Sequence, residues 1–318
     1  MLPRHRGRFA PSPSGQLHLG NARSALLGWL WARRDGGEFL LRIEDLDPAR
    51  SRPEHVQTLR EDLAYLSLDF DGEVLMQSTR SALYNAALEE LARQDLVYPC
   101  FCTRTEVARA AVAPHGLAEE GPRYPGTCSG LGARQRSERA LTRTAALRFR
   151  TPPGVVSFTD AVEGVCSQDV RETVGDFVVR RNDGVASYQL AVVVDDHASA
   201  ITHVLRGDDL LASTARQLLL YSALGHAPPQ FAHVGLLVGP DGKRMAKREG
   251  STTLAGLRAG GTPAERVVGL LASWSSLGEG GPSSAAALIP GFSLARVPHG
   301  PVVVTEASVR AGLNLAAG

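Results

Sequence analysis

The stretch that most restricts the fold runs from Arg8 to Asn21: Arg-Phe-Ala-Pro-Ser-Pro-Ser-Gly-Gln-Leu-His-Leu-Gly-Asn. Phe9 and Ala10 read as the end of a short strand. Pro11 and Pro13 lack an N–H donor, so no strand ladder continues through them. Gly15 permits a sharp turn. His18, Gly20 and Asn21 then lead into an apolar helix over Ala22 to Arg34, with Leu26, Leu27, Leu30 and Trp31 as its apolar residues. Strand, tight polar loop and helix start follow one another within a few residues. Free N–H groups and the positive end of the helix dipole collect at such a start, and they suit phosphate.

The chain has 318 residues, room for about two domains and a full-sized core. At 43% hydrophobic and 21% charged residues it reads as an ordinary globular protein. Net charge is +1, so a nucleic-acid contact has to be a local patch rather than a global field. Met1 to Gly7 carries arginines with no apolar run behind them, so no signal peptide is expected. No apolar run approaches the ~20 residues of a membrane span. Four cysteines, three of them close together, fit a reducing compartment and a metal better than a disulfide framework. These features predict a cytoplasmic protein without membrane partners. Only two of the 34 basic residues are lysine, Lys243 and Lys247. Both fall in one five-residue window, where a compact cation on a flexible stem suits a moving phosphate.

Glu38 to Ile43 is a continuous apolar run of strand length. It ends in Glu44, Asp45 and Asp47, acidic groups at the strand end where open α/β sheets bind ligands. Ser51, Pro53 and Glu54 mark a helix start, with Val56, Leu59, Leu63 and Leu66 as its stripe. A second helix is predicted over 81–94. Cys100, Cys102 and Cys128 offer three thiolates, and one more ligand would close a tetrahedral zinc site. His115 is the fourth ligand that general chemistry offers. Residues 109–122 read as a loop insertion, and Cys166 as a core residue. Of the arginines at 134, 136, 139, 143, 148 and 150, those from 136 to 143 suit one helix face, which contacts either RNA phosphates or only solvent. Residues 146–150 and 176–181 alternate like strands. The sheet is expected to resume as a strand over 185–194, followed by residues 201–209, a helix through Tyr221 and a last core strand over 231–238.

The pattern predicts an α/β fold, a Rossmann-like doubly wound parallel sheet. Residues 1–95 and 184–240 would form its two halves. Residues 96–183 would be an inserted small α+β zinc-containing module. Residues 241–318 would hold the loop with the two lysines and a short C-terminal region.

His18-Leu-Gly-Asn21 resembles the first signature of class I aminoacyl-tRNA synthetases, His-Ile-Gly-His, with Asn21 in the slot of the second histidine. The longer run from Arg8 resembles the glutamate-specific branch. Arg244, Met245, Ala246, Lys247 and Arg248 resemble the second signature, Lys-Met-Ser-Lys-Ser, with Arg244 in place of the first lysine and Ala246 in place of the serine. The resemblance implies that His18 and Gly20 bind ATP. It implies that Lys247 neutralises the departing pyrophosphate on a closing loop, with Mg2+ riding on the nucleotide. It implies that L-glutamate is held by Arg8, Phe9, Ala10, Pro11, Ser12, Glu44, Tyr188 and Arg206. Glutamate has two carboxylates and one ammonium. Arg8 and Arg206 offer forks for carboxylate, Glu44 answers the ammonium, and Tyr188 adds a hydroxyl. Which arginine takes which carboxylate stays open. Arg206 could instead form an ion pair with Asp208 or Asp209. The resemblance also makes Tyr124 the fourth zinc ligand with Cys100, Cys102 and Cys128, beside the alternative His115.

Seventy residues follow Arg248, too few for the helical anticodon-binding region of a full glutamyl-tRNA synthetase. This points to the truncated paralogues of that family, which transfer activated glutamate to queuosine in the anticodon of tRNA(Asp). A monomer is expected. The alternatives are a shortened glutamyl-tRNA synthetase charging the tRNA 3′ end, and an inactive RNA-binding paralogue.

Overall fold

The structure, a computed structural model, describes residues 4–110, 122–245 and 253–314. In chain order, β1 (Arg6–Phe9) passes through the proline loop into α1 (Leu19–Arg34) and returns as β2 (Glu38–Ile43). Next come α2 (Pro53–Tyr65), β3 (Leu75–Met76), α3 (Ser81–Arg93), β4 (Val97–Cys100), α4 (Arg104–Ala110), α5 (Ala133–Ala140) and β5 (Ala146–Phe149). A hairpin of β6 (Val155–Asp160) and β7 (Gly164–Asp169) leads through α6 (Val170–Thr173) to β8 (Val178–Arg180). The chain continues as α7 (Tyr188–Ala198), β9 (His203–Gly207), α8 (Leu211–Ala223), β10 (Gln230–Val234) and β11 (Leu237–Val238). After it come α9 (Leu254–Ala259), α10 (Ala264–Ser273), α11 (Ala285–Leu288), β12 (Val302–Val303) and α12 (Glu306–Leu313).

β2 lies between β1 and β3, parallel to both. β10 lies between β9 and β6, again parallel to both, and β7 closes that edge antiparallel. β1 and β9 run side by side, tied where the Thr202 N–H donates to the Arg6 carbonyl at 2.9 Å. The α/β architecture with a parallel sheet is therefore present. Side chains alternate across it. Phe39, Leu41 and Ile43 join α1 in one apolar layer, while Leu40 packs with α7 and α8 in the other. α1 is buried on nearly every side because it also carries α10 and α11, and Arg33 and Arg34 in its last turn complement the dipole there.

Three expectations are corrected. Residues 185–194 do not form a strand: the valines at 192–194 sit in α7. Ser187 caps that helix by accepting from the Leu190 N–H, and Val193 and Val194 are buried in the second apolar layer. Burial against α3 and α8 outweighs their β preference. Cys166 is half-buried on β7 rather than in the core. The strand expected over 231–238 is broken between β10 and β11 at Gly235, where an added Cβ would lie 1.5 Å from the Gly300 carbonyl. As for the expected 96–183 insert, β4, β5 and β8 form a separate antiparallel sheet with α4 and α5. The β6–β7 hairpin from the same span pairs with β10 of the larger sheet.

The region after β11 packs on the first layer. β12 pairs parallel with β11, and α10 contacts both α1 and α12. Among the described residues no helix is long and apolar enough to cross a membrane.

Candidate active site

A cleft of about 500 Å³ opens at the carboxyl ends of β1, β2 and β9. Its walls include Arg8, Phe9, Ala10, Pro11, Ser12, Glu44, Tyr188 and Arg206. His18 and Gly20 line the same cleft from the start of α1. Three separate parts of the chain thus meet in one hollow, because parallel strands all deliver their carboxyl ends to one sheet edge. The proline loop is held against that edge: the Glu44 N–H donates to the Pro11 carbonyl at 3.0 Å and the Arg52 N–H to that of Pro13 at 3.3 Å. His18 is the N-cap of α1 in extended conformation, and the space beside Gly20 is open. The first-turn N–H groups of α1 therefore lie at the cleft wall.

Behind Arg8 and Glu44 lies a set of buried charges that the sequence reading missed. Arg42, 1% exposed, donates to Asp196 at 2.5 Å and to Glu44 at 3.2 Å, with Asp195 3.9 Å away. Arg8 shares Asp196 at 3.3 Å. Asp195 in turn accepts from Arg80 at 2.6 Å, Gln77 at 2.8 Å and the Tyr84 hydroxyl at 2.9 Å. Burial opposes the positive charge of Arg42, yet Asp196, Glu44 and Asp195 raise it well above the ordinary guanidinium range. Burial likewise opposes the charge on Asp196, but Arg42 and Arg8 hold it below the usual carboxylate range. Glu44 keeps a raised value because burial outweighs its arginine neighbours. One signal was present: an arginine inside the otherwise apolar run 38–43 needs a buried partner. With residues 185–194 read as a strand, the inward orientation of Asp195 and Asp196 on a helix was invisible.

Arg206 pairs with neither Asp208 nor Asp209. Its Nε–H donates to His233 Nε2 at 2.9 Å, and its Nη2–H to the Thr214 hydroxyl at 2.8 Å. Its Nη1 lies 3.4 Å from the Tyr188 hydroxyl. Asp209 instead holds Arg244 at 2.7 Å, at the entry to the second signature. Lys247, Ala246 and Arg248 lie outside the described residues. Beyond them, Thr253 forms a bridge with His18, and the Leu254 N–H donates to the Leu17 carbonyl at 3.0 Å. The ends flanking the second signature thus reach the first signature and the cleft wall. Arg23, one turn past Gly20 and 1% exposed, donates to the Gly235 carbonyl at 2.7 Å and to Ser275 at 2.9 Å. Burial pulls its guanidinium down to about 10. It too escaped the sequence reading.

The separate sheet brings Cys100, Cys102 and Cys128 together, their Sγ atoms all within 4.8 Å of one another. The Tyr124 hydroxyl lies 3.3 Å from Cys100 Sγ, which donates to it, and also accepts from the Cys128 N–H at 2.9 Å. His115 lies outside the described residues. Burial raises the Cys102 thiol to about 12, with Cys100 and Cys128 adding to the effect. Burial also acts against ionisation of Cys100, but the Tyr124 hydroxyl and Arg148 hold it below the ordinary thiol range. Three crowded sulfurs and a phenol fit a tetrahedral thiophilic cation. A second, larger cavity of about 1150 Å³ runs from this cluster to Tyr188 and Asp47, which also border the first cleft. α5, which carries Arg134, Arg136 and Arg139, buries none of its residues.

Residues 5–274 match the family described as tRNA synthetases class I (E and Q), catalytic domain. The chain is 51% identical over 315 residues to a glutamyl-Q tRNA(Asp) synthetase of Symbiobacterium thermophilum, covering 96% of this chain and 97% of that protein. It is 47% identical to a glutamyl-Q tRNA(Asp) synthetase of Nocardia farcinica, covering 94% and 93%. A glutamate–tRNA ligase of a Synechococcus strain is 43% identical, and this chain covers 57% of it. The crystal structure of a glutamate tRNA ligase from Elizabethkingia meningosepticum in complex with its amino acid superposes with a TM-score of 0.82. It is 28% identical, with 98% of this chain and 69% of that one covered.

Proposed function

Because the chain belongs to the class I tRNA synthetases of the glutamate and glutamine type, we propose that it activates L-glutamate with ATP and transfers it to queuosine in the anticodon of tRNA(Asp). The observation that carries this reading is the convergence of Arg8, Glu44, Tyr188 and Arg206 on the cleft that also receives His18 and the start of α1. In the first step an oxygen of the glutamate α-carboxylate attacks the α-phosphorus of ATP. The bond to the bridging oxygen breaks, and pyrophosphate leaves. Arg8 and Arg206 bind the two carboxylates, and Glu44 binds the ammonium. His18, the first N–H groups of α1 and Lys247 receive the phosphates. Mg2+ bound to the nucleotide would supply further neutralisation of phosphate charge. In the second step a hydroxyl of the queuosine ring attacks the glutamyl carbonyl, and AMP leaves.

The higher identity to the glutamyl-Q relatives than to the glutamate–tRNA ligase supports queuosine as acceptor over the tRNA 3′ end. The larger cavity, with Arg104, Arg143, Arg148 and Arg181 around it, suits an anionic acceptor RNA reaching the adenylate at Tyr188. Cys100, Cys102, Cys128 and Tyr124 would hold Zn2+ and brace the wall of that cavity. Cys128→Ser should therefore lower the zinc content measured on the purified protein.

The test has two readouts. Pyrophosphate exchange into ATP should require glutamate and no tRNA. Labelled glutamate on tRNA(Asp) should survive periodate-defined removal of the 3′ end and map by nuclease digestion to the anticodon. Label confined to the 3′ end would replace queuosine with ordinary charging, and silence in exchange would remove the enzyme reading.

A further inference from the structure

Arg206 owes its orientation to groups that touch no part of the cleft. His233 on β10 is fully buried, and its Nδ1 lies 2.7 Å from Asp160 Oδ2 at the end of β6. The other carboxylate oxygen of Asp160 accepts the backbone N–H of Val162 and of Glu163 at 2.9 Å, and that of His233 at 3.0 Å. Asp160 is thus an acceptor on every side, so the ring hydrogen of His233 sits on Nδ1. Nε2 is then an acceptor. It receives the Arg206 Nε–H at 2.9 Å and lies 3.2 Å from the Thr214 hydroxyl, which itself accepts from Arg206 Nη2 at 2.8 Å. One side of the guanidinium is occupied by this pair, and Phe231 lies 5.4 Å beneath it. Nη1 is left facing Tyr188 and the cleft.

We propose that Asp160 and His233 form a positioning pair that holds Arg206 in the rotamer that presents Nη1 to a substrate carboxylate, through the neutral Nδ1–H tautomer of His233. The inference rests on the reading of Arg206 as a glutamate-binding residue. Removing the acceptor at Nε2 frees the guanidinium to leave the cleft, while the nucleotide end stays untouched. The pair also makes glutamate binding sensitive to acid. A second proton on His233 would put an N–H donor and a positive charge against Arg206. The charged groups facing the ring are Asp160 from β6, Arg206 from β9 and, further off, Arg8 from β1. Burial and the two arginines keep the imidazole below the ordinary histidine range, against the pull of Asp160. His233 is therefore neutral at pH 7, and the positioning is lost only as pH falls below that range.

The experiment combines kinetics with a spectroscopic readout. In glutamate-dependent pyrophosphate exchange, His233→Ala should raise the KM for glutamate about tenfold or more and leave the KM for ATP within about twofold. His233→Gln, whose amide oxygen can replace Nε2 as acceptor, should recover most of that loss. As pH falls below the ordinary histidine range, the wild-type KM for glutamate should rise more steeply than that of His233→Gln, which supplies the baseline for the titration of Glu44. Nitrogen-15 NMR of the free wild-type protein should report the Nδ1–H tautomer at His233, whatever the substrate proves to be. The proposal is overturned by an Nε2–H tautomer, by equal pH profiles, or by a glutamate KM in His233→Ala within twofold of wild type. A wild-type protein inactive with glutamate but showing the Nδ1–H tautomer would instead overturn the glutamate reading, and the positioning role with it.

Discussion

The two ends of the cleft are built by different rules. At the end proposed for the amino acid, Arg8, Arg42 and Arg206 are all buried, and each is hydrogen-bonded to side chains from other elements. At the end proposed for the nucleotide the wall is a proline-bracketed loop, the open space beside Gly20 and the half-exposed pair Arg244–Asp209. Buried charges are expensive to leave unpaired, so the first arrangement is stiff, and its energy is concentrated in a few contacts. Exposed pairs in high dielectric contribute little and exchange partners readily. The contrast matches the chemistry. Under the proposed function, glutamate must be told from other amino acids by fixed forks, whereas the triphosphate has to be gripped and then released as pyrophosphate.

The largest way to break the comparison is Arg42→Leu. It removes the nearest buried cation from Asp196 and Glu44, and urea unfolding should show a loss of about 3–5 kcal/mol. A loss under about 1 kcal/mol would mean that the amino-acid end is not braced by charge. Glu44→Gln comes next. It keeps the shape but weakens the grip on the ammonium, and kcat/KM for glutamate in pyrophosphate exchange should fall about 10- to 100-fold with the KM for ATP little changed. A third substitution probes the flank of the second signature. Asp62 on α2 is fully buried beside Arg258 of α9, 3.5 Å away, and burial raises its carboxyl to about 6. A carboxyl raised in the folded state favours folding only while protonated. That contribution is present below about pH 4 and lost as pH rises through about 6. Asp62→Asn should therefore melt a few degrees above wild type at pH 8 and converge with it near pH 4, read by calorimetry. The smallest effect belongs to Arg244→Ala. Stability should move by less than about 0.5 kcal/mol, because the pair it breaks is exposed on one side. A larger drop would show that the nucleotide end is as firmly braced as the other.

Much of the cleft was legible in the chain because its parts are local. Proline, glycine and histidine between Arg8 and Asn21 dictate a strand that stops, a turn and a helix that starts, whatever surrounds them. The run 38–43 followed by carboxylates announces a strand end. Cys100, Cys102 and Cys128 lie close enough in the chain to announce the thiol cluster that the structure forms. The helix at 188–198 was not legible, since a valine-rich segment suits a buried strand or a buried helix equally until its neighbours are known.

What the amino-acid order determined by itself was the set of groups that line the cleft, together with the local turns that present them. Tertiary structure alone decided which charges stand behind those groups. Arg42 and Asp196 are 154 positions apart, and Arg206 and His233 are 27 apart on neighbouring strands. Such pairs leave no spacing rule to read. They exist because parallel strands bring distant segments to one edge, where a buried charge must find its partner among whatever side chains the sheet has placed there.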